Sequence, residues 1–283
     1  QLLGRDKTFA VEDPGYEKIR KIYNSNNVKC VSIPIDEEGV NIDALKAGNA
    51  DILHLSPSHH YPTGIVTPIG RRYEILGWAL NCESRYIIED DYDSELRLGG
   101  KPIPTLQSID VSDKVIYMNT FTKTLSSTVR ISYMVLPASL TELFYKKLSF
   151  YSCTVSNFEQ YTLARFMESG SFEKHINRLR NYYQNKRDAI LEIFKTAPLD
   201  QYITIKEEDS GVHFMMKLKT DRTEMDMISD AKSKGIKLAP LSKYFVDQTS
   251  NMNFQNVYVM NYSSIDLEQL PLIFDALCQV LIK

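Results

Sequence analysis

Short apolar runs recur through the first half of the chain, at Thr8 to Val11, Val28 to Ile33, Ile52 to Leu55, Tyr86 to Ile88, Val115 to Met118 and Ser132 to Leu136. Bounded by Pro, Gly or Asp, such runs read as buried strands of a mostly parallel sheet. Between them, Gly15 to Asn24, Thr67 to Asn81 and Leu140 to Phe150 carry helical spacing, which predicts an α/β layer architecture. Helix formers dominate from about Ser156 to Phe194, with Arg178, Arg180, Lys186 and Arg187 set among apolar positions. The tail then changes character. Strand-like Tyr202 to Lys206, Val212 to Leu218 and Val257 to Tyr262 alternate with helical Asp221 to Lys234 and Leu267 to Leu281, as in a smaller α+β domain. The pattern places a large domain over residues 1–155, and interdomain helices with a small C-terminal domain over 156–283. The opening Gln1-Leu2-Leu3-Gly4 reads as the last turn of a helix closed by glycine, so the large domain is expected to lack its N-terminal part.

The bulk numbers narrow the field. With 33 Lys+Arg against 36 Asp+Glu the net charge is -3, which gives no electrostatic reason for this chain itself to bind nucleic acid or an anionic membrane. The four cysteines, Cys30, Cys82, Cys153 and Cys278, form neither a CxxC pair nor a dense framework, and read as reduced thiols of a cytoplasmic protein. No apolar run approaches the roughly 20 residues of a spanning helix.

Four segments carry candidate chemistry. In Asn119-Thr120-Phe121-Thr122-Lys123-Thr124-Leu125-Ser126-Ser127-Thr128-Val129-Arg130, a lysine lies just beyond a buried strand, where partial desolvation would make it an imine-forming nucleophile. The hydroxyls of Thr120, Thr122 and Ser126 with the Arg130 guanidinium suit a phosphate, although a polar loop with a solvated lysine has the same composition. Ile87-Ile88-Glu89-Asp90-Asp91-Tyr92-Asp93 places acids at the carboxyl end of a strand, where an open α/β sheet opens its ligand crevice. They fit a protonated ring nitrogen, Mg²⁺, or a solvated strand-to-loop junction. Leu55-Ser56-Pro57-Ser58-His59-His60-Tyr61-Pro62-Thr63-Gly64 makes a rigid turn that fixes His59 or Tyr61 near a ligand, or is a plain loop. A metal at the adjacent histidines lacks a third ligand nearby, and no metal is assigned. In Val11-Glu12-Asp13-Pro14-Gly15-Tyr16 an aromatic residue opens a helix after a strand and can stack on a flat ring or enter the core.

In order along the chain, these segments resemble the C-terminal aminotransferase-like domain of MocR-type regulators, a branch of the GntR transcription factors, and beyond them the fold type I aminotransferases. Ser94-Glu95-Leu96-Arg97, Arg178-Leu179-Arg180-Asn181-Tyr182-Tyr183 and Ser210-Gly211-Val212-His213 add to the likeness. The resemblance implies pyridoxal 5′-phosphate (PLP) as cofactor, with Lys123 as Schiff-base lysine and general acid/base. Asp90 would pair with the pyridinium, Tyr92 would bond the phenolic oxygen, and Tyr16 would stack on the ring. Arg130, Thr120 and Thr122 would bind phosphate, His59 and Tyr61 would complete the wall, and Lys18 would receive a ligand carboxylate. The family's glycine-rich phosphate turn has no counterpart here. Neither has the small-domain arginine that grips the substrate carboxylate, since that region reads Asn256-Val257-Tyr258-Val259-Met260-Asn261-Tyr262.

Three functions are compatible with the likeness. The first is an effector domain that senses an amino acid or amine through an external aldimine, as a homodimer, with DNA bound only by a separate N-terminal winged-helix domain. The second is a working aminotransferase moving an amino group from an amino acid to a 2-oxo acid. The third is a decayed scaffold that only dimerises.

Overall fold

The structure, a computed structural model, describes residues 1–99, 103–206, 211–246 and 254–282. Ser210 of the small-domain motif lies outside them. Two compact units emerge, one of Gln1–Tyr61, Ile65–Glu95 and Lys101–Arg178, the other of Pro62–Gly64, Leu96–Gly100 and Leu179–Lys283. The chain passes from the first to the second at Arg178 and Leu179, further along than residue 155.

The first unit is built on strands β1 (Thr8–Asp13), β2 (Lys29–Asp36), β3 (Gly39–Val40), β4 (Ile52–Leu55), β5 (Tyr86–Asp91), β6 (Val115–Thr120) and β7 (Ser132–Val135), in the spatial order β3-β2-β1-β4-β5-β6-β7. The four pairings among β2, β1, β4, β5 and β6 are parallel, as the unbroken apolar runs require; β3 and β7 are antiparallel additions at the two margins. Parallel neighbours demand crossovers. These are supplied by α1 (Glu17–Ser25), α2 (Ile42–Ala47), α3 (Ile69–Leu80) and α4 (Leu106–Ile109), with α5 (Ala138–Leu148) following β7.

Strand alternation sorts the core into two layers. Ala10, Leu53, Ile87 and Val115 point to one face, against Leu45 of α2, Ile75 and Trp78 of α3 and Leu106 of α4. Phe9, Ile52, Ile88 and Ile116 point to the other, with Leu140 of α5 and Tyr23 of α1. Burying one such leucine contributes about 2–3 kcal/mol.

Two short helices, α2 and α4, escape a search for helical spacing because neither completes two turns. Their caps are nevertheless written in the sequence: Asn41 accepts from the Ala44 N–H, and Thr105 from the Ser108 N–H.

Two expectations are corrected. Gln1 to Leu3 form no helical turn, while Gly4 has φ 98°, in the left-handed region that glycine favours. Ser132 to Leu136 is not a buried strand: all four residues of β7 are exposed, because β7 pairs only with β6 at the margin of the sheet.

Beyond α6 (Asn157–Glu168), the helix α7 (Ser171–Phe194) runs out of the first unit. The second unit holds an antiparallel sheet, β10-β9-β8, of β8 (Ile203–Lys206), β9 (His213–Leu218) and β10 (Val257–Asn261), with α8 (Glu224–Ser233) and α9 (Leu270–Leu281). Phe214, Met216, Tyr258, Met227, Leu277 and Ile190 close its core. Among the described residues no helix is long and apolar enough to cross a membrane.

Candidate active site

From β1 the chain crosses to β2 on one side, then returns to place β4 on the other, so β1 and β4 flank a topological switch point. At such a point the crossovers leave in opposite directions and a crevice opens beyond the carboxyl ends of the strands. Every candidate from the sequence belongs to this edge of the first unit. Tyr16 and Lys18 follow β1, His59 and Tyr61 follow β4, Asp90 and Tyr92 end β5, and Thr120, Thr122 and Lys123 end β6. Arg130 enters from the start of the antiparallel β7.

The turn after β1 exists because residue 15 is glycine: a Cβ there would meet the Glu12 carbonyl oxygen at 2.2 Å. It presents the Tyr16 ring edge-on to Tyr61, with centroids 5.7 Å apart, and Lys18 Nζ lies 5.8 Å from the Tyr16 ring centre. His59 and Tyr92 stack at 5.9 Å, with the Tyr92 hydroxyl 3.3 Å from His59 Nδ1. The same nitrogen lies 2.9 Å from both oxygens of Asp93, a buried carboxylate that fixes the imidazole and, through it, the tyrosine. Burial, ahead of the charges of Asp93 and Asp90, holds the Tyr92 hydroxyl far above its ordinary pKa.

Alternation along β5 splits the acidic run. Glu89 is fully buried, 3.4 Å from Arg72 Nη1, and accepts from the N–H groups of Leu106 and Gln107 at the start of α4. Asp91 is buried on the same side and accepts from the hydroxyls of Tyr117 and Ser94. Burial raises both carboxyls above their usual range. Asp90 points the other way, its side chain 27% exposed, with His54 Nε2 3.6 Å from Oδ2. The Tyr23 hydroxyl lies 2.6 Å from His54 Nδ1; with the tyrosine donating, Nε2 carries the ring proton and faces Asp90. The acids are thus divided between anchoring a helix and facing the crevice.

Arg72, also fully buried, donates to the carbonyls of Thr67, Pro57 and Pro104, and so holds the β4–α3 connection from behind.

Beyond β6, the Thr120 and Thr122 hydroxyls sit 3.0 Å apart and bond the carbonyls of Ile131 and Val129. The turn through residues 121–125 buries Thr124, whose carbonyl accepts from His175 Nε2 of α7 at 2.7 Å. Lys123 is exposed, which corrects the partial desolvation expected of it: Thr124 takes the inward position of the turn instead. Arg130 and Lys18 are exposed as well, and neither Lys123 nor Arg130 makes a side-chain hydrogen bond or ion pair with another described residue.

Residues the sequence reading passed over are Tyr23, His54, Arg72, Asp93 and His175. Asp93 was within reach, since it closes the acidic run. Nothing in the sequence around the others marks them, because each has a partner 15 to 51 positions away.

The donor set fits PLP. One carboxylate backed by a histidine faces the crevice, paired hydroxyls and a guanidinium edge it, aromatic rings wall it, and a primary amine stands at the end of the neighbouring strand.

Comparisons with known proteins identify the family. The family model for aminotransferase class I and II matches residues 1–266. The chain is 41% identical over 242 residues to the uncharacterized HTH-type transcriptional regulator YdeL of Bacillus subtilis (strain 168), covering 86% of this chain and 52% of that protein. It is 28% identical to the probable rhizopine catabolism regulatory protein MocR of Rhizobium meliloti, covering 90% and 51%. The chain therefore spans about half the length of these curated relatives. The crystal structure of Pyrococcus horikoshii kynurenine aminotransferase superposes with a TM-score of 0.81 at 24% identity, covering 98% of this chain and 69% of that one, a likeness of fold. By its sheet order, its strand-end residues and the extent of the family match, the chain belongs to the class I and II aminotransferases, in the form that MocR-like regulators also carry.

Proposed function

We propose that the chain is the PLP-binding effector domain of a MocR-type regulator and senses an amino acid or amine. The cofactor, when bound, supplies an aldehyde that condenses with amines and a ring that withdraws electrons from the carbon bearing the amino group. Lys123 holds it covalently through Nζ and exchanges a proton there. Asp90, with His54 behind it, would hold the proton on the ring nitrogen. Tyr92 donates to the phenolic oxygen, Tyr16 covers one ring face, and Thr120, Thr122 and Arg130 take the phosphate. His59 and Tyr61 exclude water at the wall, and Lys18 receives the ligand's carboxylate. The domain works as a cytoplasmic homodimer, and DNA is contacted by a separate domain.

The observation that carries the reading is the placement of Asp90 and Lys123 at the ends of adjacent parallel strands, in a chain similar to transcriptional regulators. An aminotransferase proper is the second reading, because each matched position keeps usable chemistry. Against it, β10 carries no cationic side chain to grip a substrate carboxylate, and sensing an amine asks less of a site than turnover does.

The test is an absorbance spectrum of the intact regulator with PLP, followed by borohydride reduction and peptide mapping, with the label expected on Lys123. A label on any other lysine, or none, overturns the proposal. Amines that change both the spectrum and the operator affinity select the sensor; steady conversion of an amino acid and a 2-oxo acid selects the enzyme.

A further inference from the structure

Glu12 and His60 are two buried titratable groups that the scheme above leaves unused. Glu12 is the penultimate residue of β1, and its side chain is 7% exposed. Its Oε2 accepts from the Ser56 N–H at 2.9 Å and lies 3.6 Å from His60 Nε2, while Oε1 is buried with no hydrogen-bond partner. Both neighbours belong to the connection from β4 to α3, 44 and 48 positions along the chain. An ionised carboxylate in that place would have one backbone donor, with burial and the charge of Asp90 opposing it. Asp90 and the Tyr92 hydroxyl approach from β5 and its loop, His59 and His60 from the β4 connection, and His54 lies across β4 on the opposite face; on β2 the residue paired with Glu12 is the apolar Ile33.

We propose that Glu12 is a positioning residue of the cofactor crevice: as a neutral carboxylic acid it latches the end of β1, which carries Tyr16, to the β4–α3 connection, which carries His59 and Tyr61. The bond from the Ser56 N–H ties the two halves of the aromatic wall together, and the proton keeps a second negative charge out of a buried place with that single donor. Loss of that proton adds a buried negative charge to a rim that already carries Asp90, and opens the latch. Burial supports this protonation state: it lifts the carboxyl to about 8, with the charge of Asp90 adding to the rise. Burial likewise keeps His60 neutral, down to about 3, while its ring bonds the Pro14 backbone next to the Tyr16 turn.

The inference rests on the PLP reading of the crevice, so the test has one arm that needs no cofactor. In infrared spectra of the chain with isotope-labelled glutamate, wild type is expected to show a protonated-carboxyl band at neutral pH that Glu12→Gln lacks and that titrates away near 8. In the second arm, PLP affinity is followed by absorbance from neutral to alkaline pH. Wild type is expected to weaken by up to about tenfold per pH unit beyond that midpoint relative to Glu12→Gln, which keeps near-wild-type affinity at neutral pH. Glu12→Leu, lacking an acceptor for Ser56, is expected to be about tenfold weaker throughout.

The same infrared band in wild type and Glu12→Gln overturns the latch, and so do parallel alkaline profiles for the two. A Glu12→Gln chain that fails to fold overturns it too, because the neutral isostere satisfies the same backbone donor. If wild type forms no adduct with PLP, the functional reading falls and the infrared arm alone decides the latch.

Discussion

The strand-end rim of the first unit and the core of the second spend their buried positions differently. The rim encloses Glu12, His54, His59, His60, Asp91, Asp93 and Asn119, while the second unit closes over Phe214, Met216, Leu218, Met227, Tyr258 and Leu277, with polar burial confined to a few residues such as Lys186 and Asn256. Burying a polar group costs free energy unless a partner compensates it. A fold under pressure only for stability would have the second pattern everywhere. The rim keeps its costly groups because they orient side chains that face a crevice, as Asp93 orients His59 and His54 backs Asp90. The comparison teaches where to expect chemistry from a substitution and where to expect only unfolding.

The largest effect should be chemical. Lys123→Ala is expected to abolish the borohydride-trapped PLP adduct entirely while changing thermal stability by less than about 0.5 kcal/mol, since the side chain is exposed. Denaturant melts beside the absorbance spectra check both halves, and a large stability loss would blur the contrast. Next is Arg72→Ala, which strands the fully buried Glu89 and should cost about 3–5 kcal/mol by urea unfolding. Phe214→Ala is expected to cost a similar ~3–5 kcal/mol while leaving the spectrum of the PLP adduct unchanged. A shifted spectrum in that variant would break the comparison, because an apolar core residue of the second unit would then be governing the rim.

A pH dependence of smaller size follows from Glu12 and His60. Glu12 is raised from 4.5 to about 8, so the folded chain retains a proton that the unfolded chain has released, and stability falls as pH rises across that interval. His60 is lowered from 6.5 to about 3, so stability falls as pH drops across its own interval. The slopes of these two groups oppose each other between 4.5 and 6.5, and above 6.5 that of Glu12 is no longer offset by His60. From 6.5 to about 8 the slope is up to about 1.4 kcal/mol per pH unit. Glu12→Gln should remove the alkaline decline in melts run across that range, and a decline that survives it must come from elsewhere. The smallest effect is structural: Asn41→Ala removes the N-terminal cap of α2 and should cost about 1 kcal/mol, with no change in the adduct spectrum.

Much of this was legible in the sequence. Unbroken apolar runs such as Ile52 to Leu55 and Val115 to Met118 predict parallel strands, and each candidate group follows one of them, so the shared edge needs only the rule that ligands gather beyond the carboxyl ends. The class I and II family was legible as well, from motifs in fixed order.

What tertiary structure alone decided concerns direction and partnership. Glu89, Asp90 and Asp91 are one acidic run on paper; the pleat sends Asp90 to one face and its neighbours to the other, and Arg72 then claims Glu89. The same run of hydroxyls and Lys123 gave no sign that Thr124 would be the buried member, because His175 reaches it from 51 positions away. Local sequence sets the period of an element and so which residues share a face. Which face meets a neighbour, and which polar atom finds a partner there, depends on contacts between distant segments that no local pattern records.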